Sequence, residues 1–77
     1  MNKTYCKECA YKLKIKEKNK IIDVKEIAKS LNSKEIKKDI LCHNCNLSGI
    51  TIDENKEIWL ISGKEGEWKK YSNYYNN

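Results

Sequence analysis

Four cysteines constrain this chain more than any other feature, because they form two matched pairs with two residues inside each pair. The pairs are Cys6-Lys-Glu-Cys9 and Cys42-His-Asn-Cys45, and 32 residues lie between them. At this spacing two thiolates turn toward one metal ion, and two such pairs complete a closed tetrahedral site of sulfur ligands, which suits zinc. The sequence therefore predicts one Zn²⁺ ion bound by all four thiolates, those of Cys6, Cys9, Cys42 and Cys45.

Other uses of paired cysteines fit the sequence less well. Structural disulfides require an oxidising compartment, and we expect no secretory leader from the first residues. A redox C-x-x-C motif usually occurs once, in a βαβ context. Iron in a rubredoxin-like site stays open, although such sites usually have glycine where this chain has Ala10 and Asn46. His43 is predicted to be an exposed loop residue rather than a ligand, with a hydrogen bond to a sulfur as its other role.

The small apolar fraction makes a stabilising metal necessary. Of the 77 residues, 39% are hydrophobic and 35% are charged, and the mean hydropathy is −0.87. A domain of this size with so little apolar material usually needs disulfides or a metal, and a structural zinc site contributes roughly 10–16 kcal/mol. We expect a single zinc-binding domain over residues 1–77, with cysteine knuckles at 6–9 and 42–45.

A lysine-rich segment follows the first knuckle. Lysine occupies every even position from Lys12 to Lys20, and the apolar residues Leu13 and Ile15 occupy odd positions. This period of two predicts a strand with one cationic face and one apolar face. A turn and a short return strand over 20–22 would complete a hairpin beside the knuckle.

The next segment predicts a helical insert over 23–41. Asp23 is a suitable N-cap, and Glu26 completes a capping-box pattern. Ser33 is placed to cap a second short helix that leads to Cys42. The apolar residues recur at helical spacing, Val24, Ile27, Ala28 and Leu31 in the first helix and Ile36 and Ile40 in the second.

The C-terminal part predicts a three-stranded antiparallel meander over 49–72, followed by a tail over 73–77. Alternating apolar residues mark the strands, and polar clusters mark the turns between them. The predicted strands are 49–53, 57–62 and 67–71. Of the two tryptophans in this part, Trp59 is expected in the core of the sheet.

The two knuckles, with strands beside them, resemble zinc ribbons as a structural class. The resemblance covers the metal site rather than the whole chain. Together with the patterns above, it predicts an α+β, zinc-ribbon-like domain with a helical insert between the knuckles and a C-terminal three-stranded meander. Zinc ribbons occur in transcription, translation and nucleic-acid proteins and in small phage regulators. The resemblance therefore implies a nucleic-acid-binding or transcription-related accessory protein.

The charge distribution offers candidate nucleic-acid contacts. Residues 1–40 contain twelve lysines and six acids, whereas residues 41–77 contain four lysines and five acids. A stripe of lysines on one strand could follow a phosphate backbone, but without arginine its sequence preference would be weak. Protection of an exposed strand edge and the lysine usage of an AT-rich genome explain the same residues. The candidate contacts are Lys12, Lys14, Lys16, Lys18 and Lys20.

The alternative function is a protein-interaction module, an adaptor or inhibitor such as phages and mobile elements encode. Tryptophan and tyrosine are enriched at the centres of protein interfaces, and the C-terminal part is rich in both. On this hypothesis the meander docks onto a host protein, or onto a second copy in a homodimer. The candidate contact residues are Trp68, Tyr71, Tyr74 and Tyr75.

We do not expect an enzyme. The one histidine lies between two cysteines, and the chain has no glycine-rich phosphate loop. A closed site of four cysteines also leaves zinc no position for a reactive water. Since no run of 18 apolar residues occurs, we expect no membrane span and a cytoplasmic location.

Overall fold

The computed structural model describes residues 3–15 and 19–75. It is a mixed α+β fold with a two-stranded parallel sheet and a four-stranded antiparallel sheet of order β3-β4-β5-β6. No helix within those residues is long and apolar enough to cross a membrane. In chain order the elements are β1 (Thr4–Cys6), α1 (Lys7–Leu13), β2 (Lys20–Ile22), α2 (Val24–Lys29), β3 (Ile36–Lys37), β4 (Leu47–Ile52), β5 (Ile58–Ser62), β6 (Trp68–Lys70) and α3 (Tyr71–Tyr74).

The first knuckle spans the junction of a strand and a helix. Cys6 ends β1 with an extended backbone, and it is also the N-cap residue of α1. Cys9 follows three residues later, so the helical turn brings its side chain to the same side. The helix ends at Lys14, whose backbone is left-handed with φ 54°, a common way to end a helix.

The predicted strand of lysines is therefore wrong where the structure describes it. Lys12 lies in α1 and Lys14 ends that helix, whereas Lys20 lies in β2. The segment after Cys6 consists largely of good helix formers, and its period of two rested on only two apolar residues. One of these, Leu13, is 48% exposed, so no apolar strand face forms.

The rest of that prediction is partly correct. A strand over 20–22 is confirmed, but it pairs in parallel with β1, with Cys6 opposite Ile22, so the two strands do not form a hairpin. A helix connects them, as parallel strands require a crossover. Lys16 and Lys18 lie outside the described residues.

The first half of the helical insert is confirmed. The Asp23 carboxylate accepts hydrogen bonds from the backbone N–H groups of Lys25 and Glu26, at 3.1 and 3.3 Å, and so caps α2. The Glu26 side chain pairs with Lys29 instead of returning to the cap. Val24 and Ala28 point inward and are buried.

The second predicted helix is wrong, because the chain there completes the sheet. Ile36 and Lys37 form β3, in which Ile36 pairs with Thr51 of β4. Lys34 has φ 69°, which a right-handed helix cannot contain, and its N–H donates to the carbonyl of Ile52. Ile36 remains 50% exposed, whereas Ile40 packs against the core from the loop after β3, so the two residues do not share one buried face.

The C-terminal meander is confirmed, with β3 added at one edge to give four strands. A bulge between Leu47 and Gly49 shifts the register of β4 against β5. The inner face of these two strands is buried, and its residues are Leu47, Ile50, Ile52, Leu60 and Ser62. Trp59 precedes Leu60, so alternation places it on the outer face, and its expected position in the core is wrong.

The main hydrophobic core joins the four-stranded sheet to the part of the chain that carries the cysteines. We call this part the knuckle region, and it comprises residues 3–15, 19–33 and 38–45. Val24 from α2 and Tyr74 from α3 enter it beside the inner face of the sheet. Three of the four cysteines are part of the same cluster, and Cys45 packs against it. The thiols thus lie inside the core, where apolar residues surround them.

Candidate metal centre

The second knuckle is a tight turn between the loop after β3 and the start of β4. The Cys42 carbonyl accepts from the Asn46 N–H at 3.0 Å, and the Cys42 N–H donates to the Leu47 carbonyl at 3.0 Å. Asn46 has φ 64°, a left-handed conformation that asparagine tolerates better than most residues. Its own carbonyl accepts from the Gly63 N–H at 2.9 Å, which fixes the knuckle to the β5–β6 turn.

The structure brings the four predicted ligands together. All four Sγ atoms lie within 4.8 Å of one another, and those of Cys6 and Cys45 are 3.8 Å apart. A tetrahedral site with metal–sulfur bonds of about 2.3 Å has sulfur–sulfur edges of about 3.8 Å. Cys6 and Cys42 have no exposed surface and Cys9 has 3%. This cluster can hold one metal ion.

The thiols perturb one another strongly. Hydrogen bonding with Cys42 is the main cause that raises the pKa of Cys6, to about 11. Hydrogen bonds with Cys45 and Cys6 lower the pKa of Cys42, and the contact with Cys42 raises the pKa of Cys45. Four thiolates at this spacing would repel one another, because the buried site offers little solvent screening. A thiophilic cation removes this conflict, so the donor set fits a bound metal.

His43 turns away from the sulfurs. Its Nδ1 atom lies 3.1 Å from the Thr4 backbone N–H, which donates to it, and its own backbone N–H donates to the Thr4 carbonyl at 2.8 Å. The side chain is exposed, as predicted. His43 therefore connects the second knuckle to β1, and this role replaces the hydrogen bond to a sulfur that the sequence suggested.

Two tyrosines near the end of the chain also belong to the site. The Tyr75 hydroxyl lies 3.1 Å from Cys6 Sγ. The Tyr74 hydroxyl donates to the Cys45 carbonyl at 3.1 Å and lies 3.6 Å from Cys45 Sγ. Sequence reasoning assigned both to partner contacts, but Tyr74 is only 8% exposed within this chain.

A helical period could have revealed this arrangement. Positions 71, 74 and 75 share one face of a helix, although the sequence predicted a strand to residue 71 and no helix after it. Burial, and then hydrogen bonds to Cys45 and Cys6, raise the pKa values of Tyr74 and Tyr75 above the ordinary value for tyrosine. Both phenols are therefore protonated at neutral pH and donate to the knuckles.

The third predicted contact tyrosine, Tyr71, also packs inward. Its hydroxyl donates to the Glu8 carboxylate in α1. Burial, followed by this hydrogen bond, raises its pKa. Lys25 lies over the ring, with Nζ 5.6 Å from the centroid. Tyr71 thus connects α3 to both helices of the knuckle region.

Trp68, the remaining predicted contact residue, lies on the outer face of the sheet. It borders a groove of about 510 Å³ together with Trp59, Ile36 and Thr51. The indole lies over Gly49, where a Cβ atom would be 3.4 Å from Trp68 Cη2, an ordinary van der Waals contact. Both tryptophans are half-buried.

The three predicted lysines that the structure describes do not lie on one strand. Lys12, Lys14 and Lys20 are exposed, but they lie on three different parts of the backbone, a helix, its end and a strand. Lys12 Nζ lies 3.4 Å from the Tyr75 carbonyl, so this lysine contacts the C-terminal tyrosines.

Comparison of the chain with family models, with curated proteins and with solved structures finds no match.

Proposed function

We propose that the chain is a small zinc-binding domain, similar to zinc ribbons in its paired knuckles, whose ion is structural. The sulfur-only donor set supports this, since four thiolates complete the tetrahedral coordination of Zn²⁺ and leave no open position for a substrate. Buried ligands within a hydrophobic core also suit a structural ion. The function then depends on a surface that the fold presents.

That function, we infer, is to dock onto a partner protein through the outer face of the four-stranded sheet. The observation that carries the proposal is the pair of half-buried tryptophans beside Ile36, on the face opposite the core. A core residue would be turned to the other face, where Leu60 is fully buried. Large aromatic side chains at a partly open groove are the usual anchors of protein interfaces.

The charges around the groove favour a protein over a nucleic acid at this surface. Asp53 and Glu54 both line the groove, and Lys34 pairs with Glu54 at 3.6 Å. On the other side Lys70 pairs with Glu57 at 3.0 Å. Because these cations are matched by carboxylates, a phosphate backbone would gain little there. A peptide segment with apolar side chains fits the aromatic floor better.

A phage-displayed library of random 12-residue peptides, panned against the zinc-loaded protein, tests this proposal. We expect enriched peptides to bind the wild type and to lose at least tenfold in affinity for Trp68→Ala. Tyr11→Ala is the matched control, because Tyr11 is 86% exposed on α1 and lies outside the groove. The proposal fails if no peptide is enriched, or if the peptides bind Trp68→Ala as well as they bind the wild type.

A second candidate is weak binding of nucleic acid by lysines of the knuckle region. Among the described residues, no salt bridge is found at Lys3, Lys12, Lys14 or Lys20, whereas Lys7 and Lys29 are paired with acids. The Lys3 carbonyl accepts from the Lys20 N–H at 3.0 Å, so these two are neighbours. Such a surface would attract phosphates without reading their sequence.

Fluorescence anisotropy with a labelled 20-base DNA duplex and single strand, titrated with salt, tests this second candidate. Counterion release predicts a slope of about −0.9 per phosphate contact on a duplex. We expect the double variant Lys12→Glu with Lys20→Glu to abolish binding. Lys34→Glu, which lies at the groove of the four-stranded sheet, should leave binding unchanged. No binding at about 50 mM salt would refute the candidate, because screening is weak there.

A further inference from the structure

The C-terminal residues 71–75, which we term the tyrosine lid, cover the thiol cluster. We propose that the tyrosine lid controls how fast a bound metal ion leaves the site, through the hydroxyl groups of Tyr74 and Tyr75. This inference rests on the proposed zinc centre and assigns its kinetics to residues outside the ligand set.

The lid contacts one cysteine of each knuckle. Tyr75 reaches Cys6 in the first knuckle, with 3.1 Å between hydroxyl and sulfur. Tyr74 reaches Cys45 in the second, through the carbonyl at 3.1 Å and the sulfur at 3.6 Å. An ion leaves such a site by losing thiolates one at a time. Because the lid contacts both knuckles, it should slow the loss of the first thiolate whether that thiolate belongs to Cys6 or to Cys45.

The lid is also fixed to the rest of the fold. The ring of Tyr75 packs edge-on against Tyr74 and Tyr71, with centroids 4.9 and 5.3 Å apart. Tyr71 donates to Glu8, and Lys12 Nζ lies 3.4 Å from the Tyr75 carbonyl. Because these contacts hold the rings in place, the hydroxyls meet the sulfurs without having to be ordered first.

Two physical effects follow from this arrangement. A hydrogen bond donated to a thiolate withdraws charge from the sulfur, which makes it a poorer target for a proton or a competing metal-binding agent. The rings also cover sulfur atoms that a chelator must reach. Partners of metal ligands typically change metal affinity by about 10- to 100-fold when they are removed, and we expect the effect here in the rate of release.

The test follows release of Zn²⁺ from the loaded full chain to an excess of the coloured chelator 4-(2-pyridylazo)resorcinol. Tyr75→Phe keeps the ring and removes only the hydroxyl, and we expect it to speed release by about tenfold or more. Tyr74→Phe should have a smaller effect, because its hydroxyl lies closer to a carbonyl than to a sulfur. Tyr11→Phe is the matched control and should release zinc at the wild-type rate.

The Co²⁺-loaded protein gives a second readout. Removing the hydrogen bond to Cys6 should shift the sulfur-to-cobalt charge-transfer band of Tyr75→Phe while the tetrahedral ligand-field bands persist. If Tyr75→Phe releases zinc within twofold of the wild-type rate and the cobalt band does not move, the role of the lid is refuted. If the wild type binds neither Zn²⁺ nor Co²⁺, the metal proposal itself is wrong, so the two failures are distinguishable.

Discussion

The knuckle region, which comprises residues 3–15, 19–33 and 38–45, and the sheet strands that follow it, residues 47–70, differ in the side chains that they bury. In the knuckle region the buried side chains are mostly small, and three of them are the thiols of Cys6, Cys9 and Cys42. In the sheet the fully buried side chains are the larger Leu47, Ile50 and Leu60. The knuckle region therefore has little apolar surface with which to offset the entropy of its own ordering.

Their secondary structure differs in the same way. The two helices of the knuckle region have seven and six residues, and its parallel sheet has only two strands of three residues. Helices of this length are unstable alone, and two-stranded ladders are marginal. The β4–β5 pair is longer and buries one whole face. We therefore expect a bound metal ion to stabilise the folded knuckle region, and the burial of apolar side chains to stabilise the sheet.

Removal of the metal should have the largest effect on the difference in stability between the two regions. Cys42→Ser, or chelation of the wild type, should cost a large part of the roughly 10–16 kcal/mol that a structural zinc site contributes. We expect amide hydrogen exchange to lose protection first in β1, α1 and β2, and last in β4 and β5. Equal loss of protection in all of these elements would show that the two regions have no separate stability.

Leu60→Ala tests the sheet with the metal kept in place. The side chain is fully buried on the inner face, so its truncation should lower the free energy of unfolding by about 2–5 kcal/mol in urea titrations. Ile61→Ala is the matched control, since Ile61 is the next residue and lies on the outer face; it should cost less. Co²⁺ spectra should show an intact thiol site in both variants. Equal losses at the two positions would contradict the assignment of the faces.

Gly49→Ala tests how tightly the outer face of the sheet is packed. A Cβ atom at Gly49 would lie 2.7 Å from Ile61 Cγ2, which belongs to a stiff branched side chain on the neighbouring strand. Overpacking of this kind typically costs about 1–3 kcal/mol. At Gly63 the nearest atom, Ser48 Oγ, would be 3.4 Å away. Thermal unfolding should therefore show a lower Tm for Gly49→Ala than for Gly63→Ala, and the reverse order would refute the argument.

The smallest expected effect concerns acid pH at the β4–β5 turn. The Trp59 indole donates to Asp53 Oδ2 at 3.0 Å and, together with the Glu57 N–H, holds the pKa of Asp53 below its ordinary 3.8. A carboxyl group whose pKa is lower in the folded state than in the unfolded state stabilises the fold at pH values above 3.8. This contribution is lost as the pH falls through the lowered pKa. Asp53→Asn should flatten the dependence of Tm on pH in that range. An unchanged acid slope would count against the interaction.

The sequence predicted the cluster of four cysteines and the meander, because both depend on short patterns in the chain. Cysteine spacing determines which thiols can share an ion, and alternation with polar turns marks antiparallel strands. The cap of α2 at Asp23 was equally local. Each knuckle, the cap and the strands of the meander are determined within a few residues. The two knuckles, 32 residues apart, could be joined in the prediction because one tetrahedral site needs four thiolates.

The failures occurred where distant partners decide the structure. Lys12 is the exception, because it lies in a segment of good helix formers, a local signal that the alternation of lysines obscured. Ile36 joins a strand because it can pair with the free edge of β4, where its partner Thr51 lies fifteen residues later in the sequence. The contact of Tyr75 with Cys6 links residues 69 apart. Contacts with distant residues override local propensity, and a local sequence pattern does not show which distant residue is contacted.

The long separation of the two knuckles has a consequence for how the protein is handled. Each knuckle in an unfolded chain can bind its own ion with two thiolates, whereas the folded site, whose four sulfurs lie within 4.8 Å of one another, would share one ion among all four. Closing the 32-residue loop between them costs about 3 kcal/mol from the logarithmic chain-length term alone. Excess metal during refolding would occupy both half-sites and oppose loop closure, so the yield of folded protein should peak near one equivalent of zinc and fall beyond it.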